Sequence, residues 1–191
     1  KLNDKVAIPQ DLKQAMNGLT LRDVNVDLIQ RETVLPIIQS DNIVERTALL
    51  DRCLNALDDG KILVIFGSLK MGKSTLAAQI HQHRPKTAIY DSVLQTDLEN
   101  KVKILLKEGK GGESVLVSTG ALNLNIAGLD DSRVCQIEVP LLTVAETKEL
   151  VDTYGPEQNP HMFIYAHSCG HPVLVRTLCE YLKANHWQLD E

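Results

Sequence analysis

Several common sequence patterns are missing from this chain of 191 residues. Its longest purely apolar runs are five residues, whereas a membrane-spanning helix needs about 20, so we expect no membrane partner. No block of five or more Lys or Arg residues occurs and the formal net charge is −5, which argues against a nucleic-acid partner. The chain begins without a methionine or a signal-peptide pattern, so we expect a fragment of a larger protein.

Cysteine is also scarce, and no Cys-x-x-Cys pair occurs. The four cysteines are widely spaced in apolar surroundings: Cys53, Cys135, Cys169 and Cys179. This spacing favours reduced core residues of an intracellular protein, and we expect a cytoplasmic location. Residues 167–171 read His-x-Cys-x-His, but a zinc site needs a fourth ligand, so we favour a loop that leads into a helix.

One motif that is present carries a chemical mechanism. The apolar run Ile62–Phe66 predicts a buried strand, residues 67–74 read Gly-x-x-x-x-Gly-Lys-Ser, and residues 75–80 predict a helix. Glycines let several main-chain N–H groups converge on one anion, and the helix N-terminus adds positive potential. In this phosphate-binding loop, Lys73 reaches the β- and γ-phosphates and the Ser74 hydroxyl holds Mg²⁺.

The sequence therefore predicts that the chain binds a nucleoside di- or triphosphate. The residues predicted to surround the phosphates are Gly67, Ser68, Met71, Gly72, Lys73, Ser74 and Thr75. No guanine-reading Asn-Lys-x-Asp stretch occurs, which favours adenine, with ATP, ADP or dATP and Mg²⁺ as the cofactors.

Strands and helices alternate up to Pro140 and helices alone follow. A helix that begins after the Asp-Asn pair at 41–42 includes Val44 and ends near Gly60. Further strands are predicted at 87–91, 114–118 and 133–139, helices at 96–108, 161–167 and 173–184, and Thr143 is predicted to cap another helix that contains Glu146. This order predicts an α/β fold with a parallel sheet. We expect an N-terminal arm at 1–33, a phosphate-loop nucleotide-binding domain at 34–140 and a small helical domain at 141–191.

Four further segments resemble one protein family when their order and spacing are taken together. Residues 43–50 are similar to its "x-V-x-R-x-x-x-L" leading helix, and residues 114–119 to the strand that ends in its sensor-1 motif. Residues 135–147 are similar to its run into the helical domain, and residues 169–175 to its Gly-x-Pro motif. The resemblance covers 34–186 and is to the signal-transducing NTPases with numerous domains, the STAND class. Within that class it is closest to the NB-ARC group, which includes apoptotic protease-activating factors and plant resistance proteins.

The resemblance implies roles for individual residues. Val44 and Arg46 would lie near the base or ribose, because the leading segment of the family folds over the nucleotide. Pro172 would pack against the base from the helical domain, and Ser118 would end the sensor strand beside the phosphates. A plain helix start remains the alternative for Pro172, and a solvated helix charge remains the alternative for Arg46.

The chain departs from the family between the phosphate loop and the sensor strand. The family has two strands there, but only the strand at 87–91 is found. Loss of an internal strand would leave unpaired main-chain groups in the sheet, so we favour loss of the edge strand and interpret Asp91 as the acid beside Mg²⁺. The alternative is a strand-end Asp that caps a turn.

Residues 118–120 contain no arginine. Charge compensation at the transferred phosphoryl group is the main catalytic effect in such enzymes, so Lys73 and Asp91 would support at most slow hydrolysis.

These observations favour a regulatory nucleotide switch of apoptotic or innate-immune type. The resemblance implies that nucleotide exchange reorients the two domains and that a homo-oligomer forms on activation, through other domains of a larger chain. Two alternatives remain open. One is an active phosphate-loop ATPase of AAA+ type, and the other is a scaffold that keeps a relic nucleotide pocket.

Overall fold

The computed structural model describes residues 42–118, 132–156 and 160–188. The predicted arm at 1–33 lies outside the described residues. The same is true of residue 119, which ends the segment similar to the sensor strand, and of residue 120, which follows it.

Ten helices and strands occur in these ranges. In chain order they are α1 (Thr47–Asp58), β1 (Ile62–Phe66), α2 (Lys73–His83), β2 (Ala88–Val93), α3 (Gln95–Lys107), β3 (Ser114–Ser118), β4 (Val134–Glu138), α4 (Val144–Asp152), α5 (His161–Ser168) and α6 (Pro172–Ala184).

The strands form one parallel sheet of four in the order β2-β3-β1-β4. Every residue of the two inner strands, β1 and β3, is buried, as expected for a parallel sheet that is covered on both faces. The predicted α/β class and parallel sheet are confirmed.

Alternation along β1 assigns the two faces of the sheet. Leu63 and Ile65 share a core with Leu50 of α1 and Leu76 of α2. Val64, on the opposite face, joins a second core with α3. Successive side chains of a strand point to opposite faces, so an unbroken apolar run is what a doubly covered strand requires.

The three C-terminal helices share a third core. Its buried members are Leu142, Leu150, Val151, Tyr154, Ile164, Val175, Cys179 and Leu182. Thr143 caps α4 and forms a reciprocal capping box with Glu146, which confirms the predicted helix start. Val44 packs against this third core, so the helices contact the segment that precedes α1. The predicted domain boundary at residue 140 stays a prediction.

The start of α1 corrects one sequence prediction. The helix begins at Thr47, after Arg46, and has no side-chain cap hydrogen bond within the described ranges. The predicted start after 41–42 and the inclusion of Val44 are therefore wrong. The local capping signal is overridden because tertiary contacts hold residues 42–46 outside the helix. The first residue of the Asp-Asn pair lies outside the described residues. The other described boundaries differ from prediction by at most three residues.

The described ranges contain no helix that is both long and apolar enough to cross a bilayer.

Candidate nucleotide-binding site

The phosphate loop connects β1 to α2 through two glycines with positive φ. Gly67 has φ +138°, and a Cβ atom there would lie 3.0 Å from the Val139 carbonyl oxygen, so a side chain would push the loop away from the residue that follows β4. Gly72 has φ +88° and lies immediately before α2. Apart from its chain neighbours, no atom of the described residues lies within 4 Å of the position of its missing Cβ. The approach to the helix N-terminus is therefore open to a ligand.

Lys73 is buried within this loop. Its Nζ donates hydrogen bonds to the carbonyl oxygens of Gly67 at 2.9 Å and Ser68 at 2.7 Å. Burial lowers the pKa of Lys73, although the negative charge of Asp91 opposes that shift. The ammonium is thus held by neutral main-chain acceptors at the point where phosphate oxygens would be stronger partners.

Asp91 lies at an irregularity in β2. The register between β2 and β3 shifts between Tyr90 and Val93, and Ser92 has φ +60°. The Ser92 N–H donates to Asp91 Oδ1 at 2.7 Å. A bulge of this kind re-aims a side chain, and the charge of Asp91 acts on Lys73. The hydrogen bond from the Ser92 N–H is what we expect if Asp91 caps a turn. The charge interaction with Lys73 is what we expect if Asp91 is the acid beside Mg²⁺.

Ser118 ends β3 and is 1% exposed. Among the described residues, its Oγ has no hydrogen-bond partner. A buried hydroxyl without a partner costs free energy, so this position is suited to a water or a ligand oxygen.

One cavity of about 480 Å³ gathers three regions that are far apart in the sequence. They are the segment 42–46, which we call the pre-helix segment, the phosphate loop with α2, and the C-terminal helices. The volume lies within the range of about 300–1,000 Å³ typical of small-molecule sites. The structure brings together these predicted residues: Val44, Arg46, Met71, Gly72, Lys73, Ser74, Thr75 and Pro172.

Four predicted residues do not line this cavity. Gly67 and Ser68 supply the carbonyls that hold Lys73. Asp91 lies within β2 and Ser118 ends the neighbouring strand β3, and neither lines the cavity. Their predicted roles toward Mg²⁺ and phosphate stay predictions.

Arg46 lines the cavity, but most of its donors are engaged by protein. Its Nε and Nη2 donate to Glu146 at 2.8 and 3.4 Å, and its guanidinium also reaches the carbonyls of Pro140 at 2.8 Å and Leu141 at 3.2 Å. The alternative of a solvated helix charge is wrong, because the side chain is 10% exposed and Arg46 precedes the helix. Its predicted place near the base or ribose stays a prediction.

Glu146 carries the matching negative charge. Burial alone would raise its pKa, but hydrogen bonds from Arg46 and from Thr143 outweigh burial and hold the pKa of Glu146 below its ordinary value. Glu146 is therefore ionised at neutral pH and links the cap of α4 to the pre-helix segment.

Gly170 determines how the loop before α6 packs. It has φ +74°, and a Cβ atom there would lie 2.1 Å from the Leu142 carbonyl oxygen. The Leu142 N–H donates to the Gly170 carbonyl at 2.8 Å. This close main-chain contact places Pro172, the first residue of α6, at the cavity.

Sequence reasoning missed several residues of the cavity wall. They are Lys70, Gln79, Leu142, Leu150, Val173 and Arg176. Arg176 and Gln79 could have been found, because each lies four residues after a predicted site residue, Pro172 and Thr75 respectively. Such pairs share a helix face.

The chemistry of this cavity fits a nucleoside polyphosphate. Its polar end has the N-terminus of α2 with Lys70, Lys73 and Ser74, and its apolar walls include Val44 and Leu142. Cations and main-chain N–H groups suit phosphates, and apolar walls suit a flat base.

Comparisons with known proteins support the fold. No family model and no curated protein matches the chain. Its fold is similar to the crystal structure of a Signal Transduction ATPase with Numerous Domains (STAND) protein with a tetratricopeptide repeat sensor from Pyrococcus horikoshii, with 18% sequence identity and a TM-score of 0.51. The match covers 82% of this chain and 35% of that chain, so the chain spans about a third of the length of that protein.

Proposed function

We propose that this chain is the adenine-nucleotide-binding switch domain of a STAND-class signalling protein of NB-ARC type. The observation that carries the proposal is the cavity of about 480 Å³ to which the phosphate loop, the pre-helix segment and Pro172 all contribute. A ligand there contacts both the helix that follows β1 and the C-terminal helices. A bound ligand would therefore link α2 to the C-terminal helices.

The proposed ligand is ATP, ADP or dATP with Mg²⁺. The phosphates lie at the N-terminus of α2, where Lys73 and main-chain N–H groups bind them and Ser74 holds Mg²⁺ with Asp91 as the second acid. The base lies among the apolar residues that line the other walls, with Val44 on one side and Pro172 on the other. When bound, Mg²⁺ supplies charge neutralisation at the phosphates.

Nucleotide exchange can regulate the protein if ATP and ADP differ in their affinity for its two conformational states. A ligand shifts a two-state equilibrium only by its differential affinity for the two states. We propose that ATP and ADP favour different arrangements of the C-terminal helices, and that exchange promotes homo-oligomerisation through other domains of a larger, cytoplasmic protein of apoptotic or innate-immune type.

A second candidate function is a scaffold with a relic nucleotide pocket. It is favoured by the Arg46–Glu146 ion pair, which joins the pre-helix segment to α4 by direct contact between protein side chains. In a scaffold, nucleotide adds stability by binding alone, and ATP and ADP bind equally.

Isothermal titration of the chain with Mg²⁺-ADP and Mg²⁺-ATP tests the proposal. The parent should bind Mg²⁺-ADP and Mg²⁺-ATP with affinities that differ from each other. The control Lys86→Ala, a change at an exposed surface residue, should show the same two affinities as the parent. Lys73→Ala should weaken both by about 10- to 150-fold, because a charge-assisted hydrogen bond contributes about 1.5–3 kcal/mol. Equal ADP and ATP affinities support the scaffold instead, and a Lys73→Ala variant that binds as tightly as the parent contradicts a phosphate site.

A further inference from the structure

Two side chains from different helices hold the main chain of the pre-helix segment. Arg176 of α6 donates from Nη2 to the Asn42 carbonyl at 2.7 Å. Gln79 of α2 donates from Nε2 to the Val44 carbonyl at 3.3 Å. Residues 42–46 belong to no helix or strand, so side chains supply contacts that a regular element would make with its own main chain.

A third helix holds the end of the same segment. Glu146 of α4 accepts two hydrogen bonds from Arg46, and its Oε2 also accepts from the Thr143 N–H at 2.7 Å. One carboxylate therefore both caps α4 and fixes the arginine. The charged pair is largely shielded from solvent, with side-chain exposures of 10% for Arg46 and 20% for Glu146, so removal of one partner leaves the other charge desolvated and uncompensated.

We propose that Glu146, Gln79 and Arg176 are positioning residues for the nucleoside part of the ligand. They hold the pre-helix segment where it forms one wall of the cavity, since Asn42, Val44 and Arg46 all line that wall. Glu146 does not line the cavity and acts only through the pre-helix segment, whereas Gln79 and Arg176 hold the segment and also line the cavity themselves. None of the three is a catalytic residue. The inference rests on the proposed nucleotide-binding function and adds that the C-terminal helices set nucleoside affinity.

The phosphate end of the cavity is held by different contacts. Lys73 bonds to the carbonyls of Gly67 and Ser68, and Gly67 packs against Val139. These contacts lie outside the pre-helix segment. A displaced segment therefore weakens binding of a base and ribose but leaves the phosphate loop able to bind an inorganic polyphosphate.

Glu146→Gln is the most direct test of this inference, because it changes the contact with Arg46 more than it changes α4. Glutamine at this position keeps the capping box, so α4 retains its start, but the ion pair with Arg46 is lost. Glu149→Gln is the matched control, because Glu149 is an exposed carboxylate on the same helix. Arg176→Met removes the bond to Asn42, Arg176→Lys keeps a donor, and Lys183→Met is an exposed control on α6.

The full chain is titrated with Mg²⁺-ADP and with Mg²⁺-tripolyphosphate. We expect Glu146→Gln and Arg176→Met to weaken ADP binding by about tenfold and to change tripolyphosphate binding by less than about twofold. Arg176→Lys should restore most of the ADP affinity, and both controls should match the parent. Equal weakening of both ligands, or no change in ADP affinity, overturns the inference.

Hydrogen exchange without any ligand separates this inference from the proposed function. The N–H groups of Leu49 and Leu50 bond to the Arg46 carbonyl at 2.9 and 2.8 Å. Glu146→Gln should speed exchange at these amides by about threefold or more, while amides of β3 stay unchanged. If the parent binds tripolyphosphate but no nucleotide, the proposed function fails by itself. If exchange at Leu49 and Leu50 is unchanged, the positioning role fails whatever the ligand.

Discussion

At the scale of single residues, Lys73 combines an energetic cost in the folded chain with its proposed role in phosphate binding. Its ammonium is buried against the carbonyls of Gly67 and Ser68, and its pKa is lowered chiefly by burial. A lowered pKa means that the folded state disfavours the charged form relative to the unfolded chain. Burial of the cation therefore opposes folding of the loop, and on the proposed function a bound polyphosphate would offset that cost.

The variant Lys73→Met tests whether the buried ammonium lowers the free energy of unfolding. Without ligand, we expect the variant to have a free energy of unfolding at pH 7 equal to or above that of the parent, because the desolvated charge is gone. The difference should shrink as pH rises toward the ordinary lysine pKa, where both states of the parent lose the proton. Urea unfolding at pH 7 and pH 10 measures it, with Lys86→Met as control. A variant less stable than the parent at pH 7 shows that the two carbonyl bonds outweigh desolvation.

At the scale of elements, Gly170 shows why a loop sequence can be fixed by packing. Its φ of +74° and the 2.1 Å approach that a Cβ would make to the Leu142 carbonyl leave no room for a side chain. Gly155 has a similar φ of +68°, but apart from its chain neighbours no atom in the described part of the chain lies within 4 Å of its Cβ position. A side chain at Gly155 would therefore meet only the strain of a positive φ, whereas one at Gly170 would meet that strain and a clash with the main chain. Comparing the two positions separates these two costs.

Gly170→Ala should destabilise the chain by about 3 kcal/mol, since left-handed strain and a main-chain clash add. Gly155→Ala should cost only about 1 kcal/mol, because strain acts alone. Chemical denaturation of both variants measures the difference. Equal losses would mean that the contact between Gly170 and Leu142 relaxes without cost.

The elements also show what the sequence could predict. The strands at Ile62–Phe66 and Ser114–Ser118 are predictable because a short apolar run between helical segments is typical of a strand that is buried on both faces. The start of α1 is not, since the capping signal at 41–42 is local, whereas Val44 is held by packing against the C-terminal helices. The bulge after Tyr90 likewise has no local sequence signal.

At the scale of the whole molecule, the strand order explains how a short chain keeps a continuous sheet. β2 pairs with β3, and β3 pairs with β1, so the single strand between the phosphate loop and β3 lies next to β3 with no gap. This is the arrangement expected if an edge strand is the one that is absent. The contacts of Glu146, Gln79 and Arg176 with the pre-helix segment could not be predicted, because the partners of Glu146 and Arg176 are 100 and 134 residues away and only the folded chain brings them together.

The same arrangement leads to an expectation about catalysis. Val93 of β2 pairs with Ser118 of β3, and Asp91 lies in the irregular stretch just before that pair. The charge of Asp91 acts on Lys73, which is consistent with the proposed role of Asp91 toward Mg²⁺. Residue 118 is a serine, however, and supplies no cation for the γ-phosphate. In a single-turnover assay with Mg²⁺-ATP, we expect a rate constant on the order of 10⁻³ s⁻¹ or less. Asp91→Asn should lower that rate further and raise the Mg²⁺ concentration needed for ATP binding, while the exposed control Asp51→Asn should change neither. Turnover on the order of 1 s⁻¹ by this chain alone would favour an active ATPase over a switch, and an unchanged Mg²⁺ requirement in Asp91→Asn would leave Asp91 as the cap of its own turn.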